Sequence, residues 1–363
     1  MIILGLLAFV ILSQKLFVGL AFVSNFKNVP VPADDELPTV SILVPARNEA
    51  MNLPACLDAL LALDYPVARL EIIVGNDQSA DATALVVSDY SRQHGHIRLF
   101  NIQPDYHNLV ARSNVLAQLA NVARHDLLVF LDADMEVSPG WLKNMVAPTA
   151  RGYNMVSGYT EVKAQSWFDK VQQIDWMNVI MLLKAGADMK LPGTALGNNM
   201  LVSKEAYQAV GGYEQVGPTF TEDNDLTLAF RENGFRVFQL AVAEGALTLP
   251  MNSWKDLCDQ RNRWMQGAFR QPPMRLLPLI ISRVFMLWVL IALFWSPYWS
   301  LLMMLIIGLS EMLLSLLMAA KTKSRISLFI AFYAPVFNSL LDTFTLLTFP
   351  WNRRVIWKGR KLK

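Results

Sequence analysis

The run LLVFLDADMEV, from Leu127 to Val137, carries five large apolar residues straight into two carboxylates one position apart, Asp132 and Asp134. Held that close, two carboxylates repel each other unless a cation lies between them. A divalent ion carrying a phosphate would meet the need, since carboxylate oxygens are the natural ligands of hard divalent ions. The same spacing also occurs in solvated turns, so the pair needs structural context before it reads as a ligand site.

Four further motifs hold polar groups that could do chemistry. Thr221, Glu222 and Asp223 open TEDNDLTLAFRENGFRV, soon after the glycine-rich stretch GGYEQVGP. Acids at a helix start stabilise its positive end, which accounts for Glu222 but leaves the glycines unexplained. In QRNRW, Gln260, Arg263 and Trp264 fall on one side of a helix; a membrane-surface helix would carry Arg and Trp as well. PARNEA (Pro45 to Ala50) and GNDQSAD (Gly75 to Asp81) each follow an apolar run, although Asn, Asp and Gly also make ordinary turns.

Such groups need rigid elements behind them. TVSILVPA and LEIIVGND read as strands ending in polar residues, and LLVFL as a strand buried on both faces. NLPACLDALLAL and DATALVVSDYSRQ have helical spacing, with Asn52 and Asp81 as caps. A strand at Ile97 to Ile102 and a helix near Val110 to Arg124 complete a βαβ series. The pattern predicts an α/β domain with a doubly wound parallel sheet, whose ligands gather at the carboxyl ends of the strands. Between Ser166 and Met189, Trp167, Phe168, Val171, Ile174, Trp176 and Met177 fit an amphipathic helix, either at a membrane surface or in the core. LPGTALGNNM follows, suited to lining an acceptor site or to a tight loop.

Of the 363 residues, 53% are hydrophobic and 17% charged, with a net charge of +2. That balance points to membrane segments attached to a soluble domain and offers no basic patch for nucleic acid. Cys56 and Cys258 cannot make a disulfide framework, and the four histidines lack a zinc-ligand grouping. The expected order is an N-terminal anchor (1–24), a linker (25–38), a catalytic domain (39–271), a membrane region (272–350) and a basic tail (351–363). Met1 to Val23 could also be a signal peptide, but it lacks a basic start and a small-residue cleavage site, which favours an uncleaved anchor. Lys27 then places the catalytic domain in the cytosol, as for a protein integral to the cell membrane.

Apolar segments follow at Pro278 to Ser296, Tyr298 to Ala320 and Ile326 to Pro350. A full crossing by the last would put the basic tail outside, against the positive-inside rule. Because Pro335, Asn338 and Asp342 interrupt it, the expectation is that it turns back or lies along the interface.

The series SILVPARNEA, IIVGNDQSAD, LDADM, TEDND and QRNRW, flanked by apolar helices, resembles the membrane-bound family 2 inverting glycosyltransferases of the GT-A fold, a Rossmann-like nucleotide-sugar-binding domain. The resemblance covers Thr39 to Gln271 and implies a nucleotide-sugar donor, usually of UDP, with Mg²⁺ or Mn²⁺. It implies a nucleotide side made by Pro45, Asn48, Glu49, Asp77 and Asp132, with Asp132 and Asp134 holding the metal. It further implies Asp223 as catalytic base beside Glu222, with Gln260, Arg263 and Trp264 contacting diphosphate and acceptor. Where relatives commonly have Gly-Lys before a helix, this chain has NLVARSNVLAQ, so the nearest cation is Arg112.

The chemistry agrees with that reading. Breaking an anomeric C–O bond sends negative charge to the departing diphosphate, which a metal on Asp134 and a bidentate contact from Arg263 would stabilise. The acceptor hydroxyl needs a base, and Asp223 could serve once burial or neighbouring acids raise its pKa. The expected acceptor is a membrane lipid such as a carotenoid, sterol-like lipid, ceramide or diacylglycerol. A polysaccharide synthase is the alternative, and a nucleotide-binding membrane subunit without turnover is the alternative of a different class. The membrane part is too small for the inverted repeat of a transporter.

Overall fold

The computed structural model describes residues 2–104, 106–191, 193–219, 221–268, 285–349, 355–357 and 360–362. Its centre is a sheet of order β3-β2-β1-β4-β8-β6-β9. β1 (Val40–Ala46), β2 (Leu70–Asn76), β3 (Ile97–Asn101) and β4 (Leu127–Leu131) are parallel neighbours. They are linked by the helices α2 (Leu53–Leu61), α3 (Thr83–Gln93) and α4 (Ala111–Val122). The continuous apolar runs of β1 and β4 follow from burial on both faces. Ile42, Val44, Val129 and Leu131 join one core, while Leu43, Leu128 and Phe130 join the other. Each such side chain contributes on the order of 2 kcal/mol by leaving water.

The sheet departs from the expected all-parallel order past β4. After the short strands β5 (Met135–Val137), β6 (Met155–Ser157) and β7 (Thr160–Val162), β8 (Asn199–Ser203) slots antiparallel between β4 and β6. β9 (Val237–Gln239) extends the edge parallel to β6, and β10 (Ala246–Thr248) pairs with β5 and β7 in a second sheet. Two expected caps also differ. The Asn52 amide bonds Glu49 instead of the helix start, and Asp81 accepts the N–H groups of Ala50 and Thr83.

The predicted amphipathic helix is α6 (Trp167–Asp188), opened by a capping box in which Ser166 and Asp169 bond each other's backbone N–H. It lies between the sheet domain and the apolar helices. Met177, Ile180 and Met181 pack with Phe22 of α1 (Ile2–Ser24) and with Met318 of α11 (Pro297–Thr322). Ile174 packs with Ala331 and Ala334 of α12 (Leu328–Thr348).

By length and composition, α11 and α12 could each cross a membrane. The chain is helical again over 285–292. Residues 278–284, the 271/272 boundary and the tail positions Arg353, Arg354, Lys358 and Lys363 lie outside the described residues. α12 runs unbroken through Pro335, Asn338 and Asp342, so the expected turn-back is not found. An interior proline costs about 3 kcal/mol, and packing on both sides outweighs it. Ala331 and Ala334 meet α6, while Leu341 meets Leu257 of α10 (Trp254–Ala268). β11 (Val355–Trp357) then pairs with β12 (Arg360–Leu362), and β11 lies beside α10.

Candidate active site

The site is built at the carboxyl ends of β1, β2 and β4, where parallel strands leave polar loops facing one crevice. The loops after β1 and β2 interlock through hydrogen bonds. Asn48 adopts a left-handed φ of 52°, and its side chain accepts from Ala80 N–H at 2.8 Å while its own N–H donates to Ser79 Oγ at 3.1 Å. Glu49 N–H donates to Thr83 Oγ1 at 2.9 Å. Asp77 is buried at 1% exposure, and its backbone carbonyl accepts from Arg47 at 2.6 Å. Pro45 sits within β1 opposite Gly75 and is buried, so it shapes the strand end from inside.

Arg112 joins two of the motifs. Its Nε donates to Asp132 Oδ1 at 2.8 Å, its Nη1 to Glu222 Oε1 at 2.9 Å and its Nη2 to the Gly197 carbonyl at 2.6 Å. Against the desolvation that burial imposes, those two carboxylates hold the guanidinium protonated and move its pKa upward. Ala111, which starts α4 and stands where the resemblance leads one to expect glycine, has a φ of 49°.

Asp223 opens α9 (Glu222–Glu232). Its Oδ2 accepts from Gly197 N–H at 2.9 Å and its Oδ1 from Asn224 N–H at 2.8 Å. Burial raises the pKa of Asp223 and of Glu222, opposed at Glu222 chiefly by Arg112 and at Asp223 chiefly by those N–H groups. The neighbouring acids therefore differ in kind: Glu222 is matched by a cation, whereas Asp223 is held by neutral donors.

Gly197 serves both motifs because nothing larger fits. A Cβ there would stand 2.8 Å from Asp223 Cβ and 3.1 Å from Arg112 Nη1. Next to it, the Asn198 carbonyl accepts from Asp132 N–H at 3.2 Å. Tyr213, from the glycine-rich stretch, lies buried within the field of Arg112, Glu222 and Asp223, with no hydrogen-bond partner for its hydroxyl among the described residues. Neither residue stood out in the sequence, where only the clustering of glycines marked their segments.

From α10, Arg263 comes to the same place. Burial lowers its pKa, opposed by the carboxylates of Asp259, Glu222 and Asp132. Gln260 is half-buried one turn earlier on the helix. Trp264 stands apart from the acids, edge-on to Trp176 of α6 at 5.5 Å and 85°. The candidate residues thus form an acid-rich group around Arg112 and a second group on α10 that reaches toward α6 and α12.

Asp132 and Asp134 are both partly exposed. Among the described residues, no three His, Cys, Asp or Glu side chains gather as a metal-binding group. This donor set fits an ion held by one or two carboxylates and completed by water and phosphate, as Mg²⁺ is. It does not fit a closed protein cage.

The sequence model of glycosyl transferase family 21 matches residues 2–363. The beta-monoglucosyldiacylglycerol synthase of Trichormus variabilis is 24% identical over 241 residues, which is 65% of this chain and 50% of that protein. The undecaprenyl-phosphate 4-deoxy-4-formamido-L-arabinose transferase of Enterobacter sp. (strain 638) is 32% identical over 142 residues, 36% of this chain and 39% of the relative. The chain thus spans about half the length, or less, of these curated relatives. The mannosyltransferase PcManGT from Pyrobaculum calidifontis, solved in complex with GDP-Man and Mn²⁺, shares the fold with a TM-score of 0.60 at 16% identity, over 96% of this chain and 99% of that one.

Proposed function

The chain belongs to glycosyl transferase family 21, and from that we propose that it is an inverting, metal-dependent, membrane-integral enzyme moving a sugar from a UDP-sugar to a lipid hydroxyl. Diacylglycerol and ceramide are the acceptors we put first, in keeping with a relative named for glucosyldiacylglycerol synthesis. The observation that carries the reading is Arg112, which ties Asp132 to Glu222 and so brings the two acid motifs to one point.

Each group then has a task. Asp132 and Asp134 would hold a divalent ion, which supplies charge stabilisation to the departing diphosphate. Arg263 adds a planar, bidentate contact to the same oxygens. Asp223 takes the proton from the acceptor hydroxyl as that oxygen bonds the anomeric carbon. The bond to the diphosphate breaks on the opposite face, its electron pair leaves with the nucleotide, and the configuration inverts. Glu222 stays paired with Arg112, so one carboxylate of the two is free to act as base.

Membrane placement follows the packing. Lys15 of α1 pairs with Glu311 of α11, whose carboxylate also accepts from Asn178 of α6. That built-in ion pair favours a retained anchor over a cleaved signal. α12 rests on α6 and α10 along its length and β11 returns beside α10, which supports an interfacial α12 with the tail on the side of the catalytic domain, taken here as cytosolic.

The test uses the full chain in lipid nanodiscs, with UDP-sugars and GDP-mannose as donors and diacylglycerol or ceramide as acceptor. The expected product is a β-linked glycolipid from an α-linked donor, lost with a chelator and restored by Mg²⁺ or Mn²⁺. An α-linked product would overturn single displacement, and polymer without glycolipid would move the assignment to polysaccharide synthesis. For topology, Arg360→Cys should resist an impermeant thiol reagent in intact cells; labelling from outside would show that α12 spans.

A further inference from the structure

The α10 helix carries a second buried arginine that the transfer chemistry above does not use. Arg261 pairs with Asp175 of α6 and lies within the field of Asp342 of α12. Its guanidinium stands over the Trp264 ring at 4.7 Å, and Trp264 meets Trp176 edge-on. Asp175 is 3% exposed, so both charges of the pair are largely withdrawn from water. Among the described residues, Arg261 Nε is buried with no hydrogen-bond partner, as are Nδ2 and Oδ1 of Asn262 beside it. A sealed core rarely leaves three such atoms unmet. Among the described residues, this part of the seam among α6, α10 and α12 therefore has hydrogen-bonding capacity to spare.

Two helices meet directly at this guanidinium, the one bearing Arg263 and the amphipathic helix, with Asp342 of an apolar helix within its field. Arg263 and Trp264 are successive residues, so a shift of Arg261 moves the indole relative to the acid cluster. We propose that Arg261, braced by Asp175 and Asp342, is a positioning residue that sets where a hydroxylated amphiphile approaching along the seam presents its hydroxyl to Asp223. The inference rests on the glycosyltransferase reading. It assigns Arg261 to acceptor placement and leaves donor binding to Arg112, Arg263 and the strand-end acids.

The experiment compares the wild type with Asp342→Asn and Arg261→Lys in nanodiscs, using whichever donor the wild type turns over and diacylglycerol as the acceptor probe. Asp342→Asn is the milder change and keeps the Asp175 pair. Acceptor KM should rise by roughly tenfold, as expected for removal of one nearby charge. Donor KM and the slow release of nucleotide without acceptor should stay at wild-type values, and Asp342→Glu should restore acceptor KM. Equal losses in transfer and acceptor-free release, tracking a lowered unfolding temperature, would reduce Arg261 to a structural brace and overturn the inference. An unchanged acceptor KM would overturn it as well. Both outcomes need an active wild type; a wild type that neither transfers sugar nor releases nucleotide from any donor would instead sink the underlying reading, and this inference with it.

Discussion

Arg112 and Arg261 answer the same electrostatic problem in two surroundings. Each is largely buried and lies among carboxylates from two other elements, Asp132 and Glu222 in one case, Asp175 and Asp342 in the other. Arg112 donates from Nε, Nη1 and Nη2, the last to a backbone carbonyl at Gly197. Among the described residues Arg261 keeps an unpartnered Nε, and it lies over an indole. The contrast follows from the elements. Loops at strand ends expose backbone carbonyls that can saturate a guanidinium, whereas helix interiors use theirs internally. An arginine enclosed by helices alone is left with donors to spare, which makes it a better brace for a moving partner than for a fixed one.

The largest effect should come from the base that the Arg112 cluster leaves uncommitted. Asp223→Asn is expected to lower kcat by about 10²- to 10⁴-fold while calorimetry shows nucleotide-sugar binding retained. Since burial raises the pKa of Asp223, the base form is lost as pH falls through a value above the ordinary aspartate pKa of about 3.9. The acid limb of the kcat profile belongs above that point, and a limb below it would reassign the base.

Removing each arginine tests the comparison itself. Arg112→Met strands two carboxylates, Asp132 and Glu222, and should cost roughly 3–5 kcal/mol in unfolding measurements, more than Arg261→Met. The reverse order would break the distinction between saturated and unsaturated sites. Gly197→Ala probes the backbone that makes the first site complete. Its new methyl would press on Asp223, so kcat should fall by about 10²-fold with the fold kept; near-normal turnover would show that the loop can yield. The smallest effect is expected at the start of α4. Ala111 holds a φ of 49°, and left-handed backbone costs a non-glycine residue about 1–2 kcal/mol. Ala111→Gly should therefore stabilise the protein by less than about 1 kcal/mol after the added freedom of the unfolded chain. A loss in thermal unfolding would refute that account.

Sequence patterns exposed the strands that are buried on both faces. Runs such as SILV and LLVFL have no other ready explanation, and they placed the acid motifs correctly at strand ends. The three-residue strands β5, β6 and β7 were not legible, because so short a segment shows no period and takes its identity from its pairing partner. β8 was hidden for a related reason: whether Asn199 to Ser203 runs with or against β4 depends on where α6 returns the chain. At the site, Asp132, Glu222, Asp223 and Arg263 stood out as members of motifs, and the resemblance rather than their spacing supplied the roles proposed for them. The connection through Arg112 did not stand out, since it joins positions 110 residues apart. Gly197 was legible only as part of LPGTALGNNM, not as a contact to Asp223 and Arg112, because its contribution is made by the backbone and by the side chain it lacks.

Lys15 and Glu311 lie 296 positions apart in the chain. At a synthesis rate of about 5–20 residues per second, the lysine emerges some 15 to 60 s before the glutamate exists. Throughout that interval Lys15 lacks the carboxylate with which it pairs in the folded chain, and the contact between α1 and α11 can form only once α11 arrives. Assembly of these helices is thus timed from the far end of the protein, so interruption of translation before Glu311 would leave α1 without its ion pair.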